Sequence, residues 1–289
     1  MTLDSLRCFR ALVETGSFRV AAERVHRTQP AVTHQIKALE RELGRVLFDR
    51  KAGKPTPAGQ RLYERACALL ADADSLAREV KSIDEAELRE LRLGTSDTTA
   101  LYVLPPLIRR FRRVMPGTRL VIVNRPSDAV AELVSRCELD LGIVTLPVGR
   151  RELEERLLFE QELVLVVPAS HPLTRRKRLT IEDLVDEPML LLDDATRTGA
   201  LLRDYFRSLG FQPHVAMNSG SFEVIKRYVA EDVGVSFLPD IVVIPADRRI
   251  RSIRLPGLPR VAIGLITRRG VYRSKGEDKF VRLVESMAR

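Results

Sequence analysis

Apolar positions in the first fifty residues recur at helical spacing in three short runs. Leu6, Phe9, Leu12 and Val13 share one side of a helix predicted from Leu3 to about Glu14, which Thr15-Gly16 closes. Ser17 is placed to cap a second helix reaching about Val25, with Val20, Ala21, Ala22 and Val25 turned inward. His26 and Arg27 make a tight turn. Thr28 caps a third helix, and Pro30 falls in its first turn, where a missing N–H costs nothing. Gly44 ends that helix in the left-handed conformation. Val32, Ile36, Leu39 and Leu43 form one narrow stripe that must face the second helix. Gln29, Pro30, Thr33, His34, Lys37 and Arg41 lie on the opposite side.

A short apolar run, Val46-Leu47-Phe48, is followed by the basic turn Arg50-Lys51-Ala52-Gly53-Lys54-Pro55, the place for a two-stranded ribbon. Thr56-Pro57 then opens a long helix reaching about Ile83 or beyond. Leu62, Leu69, Leu76 and Ile83 recur every seven residues, with Ala66, Ala73 and Val80 four positions after the first three. The residues between are mostly charged. With no second apolar face, this helix is expected to pair with a copy of itself rather than pack on its own domain, and it would be about 40 Å long.

Past the polar joint from Asp84 to Glu90 the pattern changes to short apolar strands alternating with helices. Strands are predicted at Leu91–Gly94, Leu120–Val123, Leu139–Val144 and Leu163–Pro168, then near Met189–Leu192, Val215–Met217 and Val235–Leu238. Helices fall at Leu104–Leu107 and beyond, Asp128–Arg136, up to Phe206, and at Ser221–Ala230. Such alternation implies a parallel sheet. Leu163–Pro168 and Val261–Thr267 read as two crossings between lobes, and Lys279–Met287 as a helix closing on the first lobe.

The formal net charge of +9 over 289 residues favours a polyanionic partner without choosing its kind. The third helix narrows that choice. Thr28, Gln29, Pro30, Thr33 and His34, able to read base edges, come first, and Lys37, a cation suited to phosphate, comes later. A helix entering a major groove by its N-terminus needs that order. Arg50, Lys51 and Lys54 on the ribbon suit phosphate contacts that position without reading sequence. The competing readings are a solvated amphipathic helix and a solubilising loop. Cys8, Cys67 and Cys137 are scattered, form no C-x-x-C pair and read as free thiols, with a redox sensor as the alternative. No cluster has metal-ligand spacing, no cofactor is expected, and there is no P-loop, G-x-S-x-G or H-E-x-x-H to suggest an enzyme. The N-terminal stretch carries acids and arginines and no signal-peptide core, and no apolar run could span a bilayer, so no membrane partner and a cytoplasmic location are expected.

The run AAERVHRTQPAVTHQIKALERELGRVLFDR, continuing without a gap through Thr56-Pro57-Ala58-Gly59, resembles the N-terminal signature of the LysR-type transcriptional regulators. The resemblance implies an α/β protein overall, with three parts. These are a mostly α winged helix-turn-helix (residues 1–59), a long dimerising linker helix (60–89), and a two-lobed α/β effector-binding domain of periplasmic-binding-protein type. Its first lobe would cover 90–163, completed by 267–289, and its second 164–266. The resemblance also implies double-stranded DNA, a small-molecule effector and RNA polymerase as partners, and a homodimer or homotetramer. Pro55 stands where the family often has an apolar residue, so the second ribbon strand should be short. Cys137 stands where the family commonly has a helix-ending glycine.

Ligands of open parallel sheets sit outside the carboxyl ends of the strands, beside helix N-termini. The loops there share a chemistry: Ser96, Thr98, Thr99, Ser127 and Thr145 in one lobe, and Thr196, Thr198, Ser219 and Ser221 in the other. Hydroxyls and free backbone N–H groups suit a carboxylate or oxyanion. In the LysR-type resemblance the Ser96–Thr99 turn, Thr145 and the Thr196–Thr198 loop fall at effector-cleft positions. The competing reading is that these residues only cap helices. Asp97 would oppose an anion, and Arg197 would offset it if turned inward. Three rivals remain: a two-lobed enzyme, a solute-binding protein with an accessory DNA-binding module, and a non-specific nucleoid-type protein.

Overall fold

The computed structural model describes residues 1–81, 90–176, 178–244, 246–271 and 273–287. They form two compact units, an N-terminal helical one and a C-terminal α/β one. The polar joint at residues 84–89 and the last heptad position, Ile83, lie outside the described residues.

In the first unit α1 (Leu3–Thr15), α2 (Phe18–Arg24) and α3 (Gln29–Leu43) surround one core. Leu6, Phe9, Leu12, Ala21, Ala22, Val32, Ile36 and Leu39 are buried in it. Two positions expected inside face out instead. Val20 is 39% exposed and Leu43 41%, because each sits at the margin of its stripe, where the neighbouring helix no longer covers it. The tight turn is made by His26 at φ 53°, and Gly44 closes α3 at φ 63°. The ribbon is minimal: β1 (Phe48–Asp49) pairs with β2 (Lys54–Pro55) over two residues each.

Helix α4 (Pro57–Lys81) corrects the expectation of a single apolar face. Tyr63, Ala66, Cys67 and Leu70, spaced three and four apart, are buried in the helical core. The first half of α4 therefore belongs to its own domain. Leu69, Leu76 and Val80 are exposed on the other side, at 45%, 61% and 61%. Gly59 is required where α4 starts: a Cβ there would stand 1.9 Å from the Leu47 carbonyl oxygen.

The second unit follows in order β3 (Glu90–Thr95), a π turn (Thr99–Val103), α5 (Leu104–Val114), β4 (Arg119–Asn124), α6 (Ser127–Ser135), β5 (Leu141–Thr145) and β6 (Leu153–Pro168). After two 3-10 turns come β7 (Pro188–Leu192), α7 (Arg197–Ser208), β8 (His214–Ser219), α8 (Phe222–Ala230), β9 (Ser236–Pro239), β10 (Ile250–Ile253), β11 (Arg260–Arg268) and α9 (Lys275–Glu285). The sheet is mixed, not wholly parallel. Among the described residues the parallel ladders are β3–β4, β3–β5 and β7–β8; β11 runs antiparallel to β5 and β6. The reason is β6, a 16-residue strand. Its first part pairs with β11, and its last part, Leu163–Pro168, pairs with β9 and β10. One continuous strand thus serves both lobes. Val261–Thr267 likewise lies in the sheet of the first lobe beside β5, so the chain returns before Arg260 rather than within that run.

Each lobe is a sheet covered on both faces. In the first, α5 and α9 lie on one side, with Phe111 and Phe280 edge to face at 5.1 Å, and α6 buries Val130 and Val134 on the other. In the second, α7 brings Phe206 to 5.5 Å from Phe237, while α8 packs Ile225 and Val229 on Leu190 and Leu192. After α6, Cys137 takes the left-handed conformation at φ 53°, and the Glu138 N–H closes on the Leu133 carbonyl at 2.9 Å. This Schellman-type turn is why a glycine suits that position.

Candidate functional site

The N-terminal end of α3 stands free of the core. Gln29, Pro30, His34, Lys37 and Arg41 are exposed, and Thr33 is half-buried. Thr28 is committed to capping: its hydroxyl accepts the Ala31 N–H at 3.4 Å. The ribbon carries Arg50, Lys51 and Lys54, all exposed. Arg50 is held by its guanidinium lying 5.2 Å over the Phe18 ring, and Phe18 in turn meets Phe48 edge to face at 5.8 Å. That cation–π contact fixes the direction in which the charge is presented. The Asp49 carboxylate accepts the Lys51 and Ala52 N–H groups at 2.8 and 3.1 Å and shapes the tip. Arg45, not singled out from sequence because it follows the helix end, joins His34, Lys37 and Arg41 along one open groove. Of the three cysteines, Cys8 and Cys67 are buried, and burial pushes both thiols up, away from the reactive thiolate.

In the second unit the expected hydroxyls divide into two groups. Some are used internally. Thr196 caps α7, accepting the Gly199 N–H at 3.0 Å and donating to the Asp193 carbonyl at 2.7 Å. Ser127 accepts the Thr145 N–H at 3.1 Å, tying the start of α6 to the end of β5. Ser219 accepts the Ser221 N–H at 3.2 Å. Others are not used in this way. Thr98 is buried, and its Oγ1 has no hydrogen-bond partner. Thr99 is buried and meets Ser96 only at 3.5 Å, and Thr198 is buried in the first turn of α7. Asp97 accepts from the Asn124 amide, so its carboxylate is engaged within its own lobe.

The two rims meet at an ion pair between Arg197 and Asp128, the neighbours of Thr196, Thr198 and Ser127. Arg197 Nη2 also lies 3.5 Å from the Val148 carbonyl, while its Nε is buried without a partner. Arg197 does point across the cleft, and Asp128 holds part of its charge. A second contact joins the lobes through residues with no sequence signal. Tyr102, in the π turn, donates to Glu223 and accepts from Lys226 Nζ at 2.7 Å. Lys226 also reaches the Val242 carbonyl at 3.0 Å and Asp247 at 3.5 Å. Its burial pulls the ammonium pKa down, but the hydrogen bonds to Tyr102 and Glu223 outweigh that, and the net shift is upward. Tyr102 is pushed up by burial and by its bond to Glu223. Among the described residues no His, Cys, Asp and Glu group could hold a metal ion, and no helix is long and apolar enough to cross a membrane.

These two constructions match known proteins over the whole chain. Residues 3–60 match the bacterial regulatory helix-turn-helix proteins of the lysR family, and residues 84–289 match the LysR substrate binding domain. The transcriptional regulator CbbR of Xanthobacter flavus is 35% identical over 278 residues, covering 92% of this chain and 82% of that protein. The regulator CysL of Bacillus subtilis is 30% identical over 240 residues, covering 82% and 80%. A cysteine-to-aspartate variant of full-length OxyR from Pseudomonas aeruginosa superposes with a TM-score of 0.78 at 26% identity, over all of this chain and 95% of that one. The chain belongs to the LysR family of ligand-responsive, DNA-binding transcriptional regulators rather than to any enzyme family.

Proposed function

We propose that the chain acts as a homodimer, with a homotetramer as the larger assembly, that places two α3 helices in successive major grooves about 34 Å apart or a multiple of that. The chain divides into a DNA-binding module that takes in the first half of α4, a spacer formed by the rest of that helix, and then two lobes. Gln29, Pro30, Thr33 and His34 read base edges; Thr28 orients the helix start; Lys37, Arg50, Lys51 and Lys54 hold phosphates. The observation that carries this reading is the exposure of the α3 N-terminus beside a ribbon whose Arg50 is held against Phe18 and whose Lys51 and Lys54 are exposed. Leu69, Leu76 and Val80 on α4 form the pairing stripe. The protein works where the DNA is, in the cytoplasm, with RNA polymerase as its downstream partner.

The inter-lobe cleft takes a small carboxylate or oxyanion. Support comes from the unpartnered hydroxyl of buried Thr98 and the unpartnered Nε of Arg197, together with Ser96, Thr99, Thr145 and Thr198 at the same rim. Thr196, Ser127 and Ser219 shape the site through the backbone bonds described above. The effector would change lobe closure and, through it, the placement of the DNA-reading helices. A thermal-shift panel of small carboxylic acids and inorganic anions tests this, with Thr98→Ala as control. A shift in the wild-type protein that disappears in the variant is expected. No shift with any anion would return these hydroxyls to helix caps.

A further inference from the structure

Helices α5 and α9 lie side by side on one face of the first lobe. Phe111 and Phe280 join them at 5.1 Å, and Lys279 Nζ of α9 lies 3.6 Å from the Sδ of Met115, the residue that follows α5. At about 100° per residue their inward sides are Leu104, Leu107 and Phe111 on α5 and Gly276, Phe280 and Val284 on α9. The sides turned to solvent are cationic. α5 exposes Arg109, Arg110, Arg112 and Arg113, and α9 exposes Lys275, Lys279 and Arg282 on one stripe. Among the described residues none of these cations pairs with a carboxylate. α5 itself carries no acid. On α9, Glu277, Asp278 and Glu285 are half-buried, and Glu285 pairs with Arg156.

This arrangement works against the helices that carry it. Cations three or four residues apart on a helix repel, and Arg109–Arg112, Arg109–Arg113, Arg110–Arg113, Lys275–Lys279 and Lys279–Arg282 are all such pairs. Helix carboxyl ends favour cations, which accounts for Arg112, Arg113 and Arg282 in the last turns. It does not account for Arg109, Arg110 or Lys279, and Lys275 stands in a first turn, where a cation is disfavoured. We propose that this face of α5 and α9 binds the phosphate backbone of double-stranded DNA, a sequence-independent contact additional to α3 and the ribbon. A polyanion relieves the repulsion that the uncovered face carries. Two observations choose DNA over an acidic protein or a lipid surface. Most of the cations are arginines, whose planar guanidinium matches phosphate oxygens in pairs. Among the described residues, Val114 is the one large aliphatic or aromatic side chain of these helices that is exposed, whereas protein interfaces have an apolar core and membrane-surface helices an apolar face. At about 1.5 Å per residue α5 is about 16 Å long, and a duplex carries about one charge per 1.7 Å of axis, so several phosphates fall within its length. A DNA-binding regulator meets this polyanion as its established partner.

Fluorescence anisotropy of the full-length protein on a long, labelled random-sequence duplex, over about 50–200 mM salt, tests the assignment. A face variant combines Arg109→Gln, Arg113→Gln and Lys279→Gln, the most outward of the cations. A control combines Arg175→Gln, Arg178→Gln and Arg248→Gln, exposed in the second lobe, and makes the same change in net charge. The face variant is expected to lower the salt slope by about two to three and to bind at least about tenfold more weakly at the low-salt end. Its melting temperature should not fall, since repulsion is relieved. The control should keep the wild-type slope. An unchanged slope in the face variant would overturn the proposal. An equal drop in both variants would overturn it too, because overall charge would then explain the effect. A lower melting temperature of the face variant would also count against it, by showing that these cations stabilise their own helices. Lys54→Ala, measured alongside, tests the ribbon on its own, so failure of the α3 and ribbon reading leaves the result for this face standing.

Discussion

Lys226 Nζ donates a 2.7 Å hydrogen bond to the hydroxyl of Tyr102, joining α8 of the second lobe to the π turn of the first. The ammonium also lies 5.3 Å from the centre of the Tyr102 ring. Together with the Arg197–Asp128 pair, this contact holds the lobes in the observed arrangement. Tyr102→Phe keeps the ring and removes the hydroxyl, leaving a half-buried ammonium with one partner fewer. The C-terminal unit is expected to lose about 1–2 kcal/mol, read as a lower urea midpoint at constant slope.

The same contact sets an alkaline limit. Lys226 and Tyr102 both have folded pKa values above their ordinary 10.5 and 10.0. A raised folded pKa means stability that is fully present below the unfolded value and lost as pH rises through the folded one. The contact should therefore be insensitive to pH between about 6 and 9 and fail only above about pH 10. Melting temperature against pH measures this. The wild-type protein should fall more steeply than Lys226→Met at the alkaline end, with parallel curves near neutrality.

On DNA, Gln29→Ala is expected to relax base preference, since its side chain is exposed at the α3 N-terminus. Lys54→Ala should weaken every duplex about equally and reduce the salt slope by about one contact. Competition binding with cognate and scrambled duplexes over a salt series separates the two. Equal losses by both variants on all sequences would refute the division into readers and positioners.

Leu76→Glu places a charge in the exposed stripe of α4. The variant is expected to sediment as a monomer and to lose binding to a two-half-site operator while each helical unit stays folded.

Gly59→Ala is the sharpest packing test. Its Cβ would lie 1.9 Å from the Leu47 carbonyl oxygen, a backbone atom that cannot move without displacing the ribbon. A loss of about 2–3 kcal/mol in the N-terminal unit is expected, measured by thermal denaturation.

Local periodicity made the DNA-reading unit legible. Helix caps, a proline in a first turn and a three-residue buried stripe act within a few residues of chain, and Thr28, Pro30, Val32, Ile36 and Leu39 lie as their spacing implies. Val20 and Leu43 depart from their stripes, because their exposure depends on where a neighbouring helix stops. The same dependence on neighbours shows at Tyr63, Cys67 and Leu70. The heptad drew attention to one face of α4, while a second, shorter apolar face was hidden among charged residues and became visible only against the helical core.

By itself, the sequence determined the helices of the N-terminal unit, most of the strands and helices of the second unit and the hydroxyl-bearing loops, because each depends on short-range patterns and local chemistry; β10 carried no such pattern, and of the 16-residue β6 only Leu163–Pro168 was legible. Only the tertiary structure decided the roles of those loops and the links between lobes. Thr196, Ser127 and Ser219 turned out to hold backbone groups, whereas Thr98 keeps an unpaired hydroxyl. Tyr102 meets Lys226 across 124 positions of sequence, and Arg197 meets Asp128 across 69. No periodicity encodes such pairs. They exist because a continuous β6 serves both sheets and brings distant helix ends together, where desolvated polar groups must find partners.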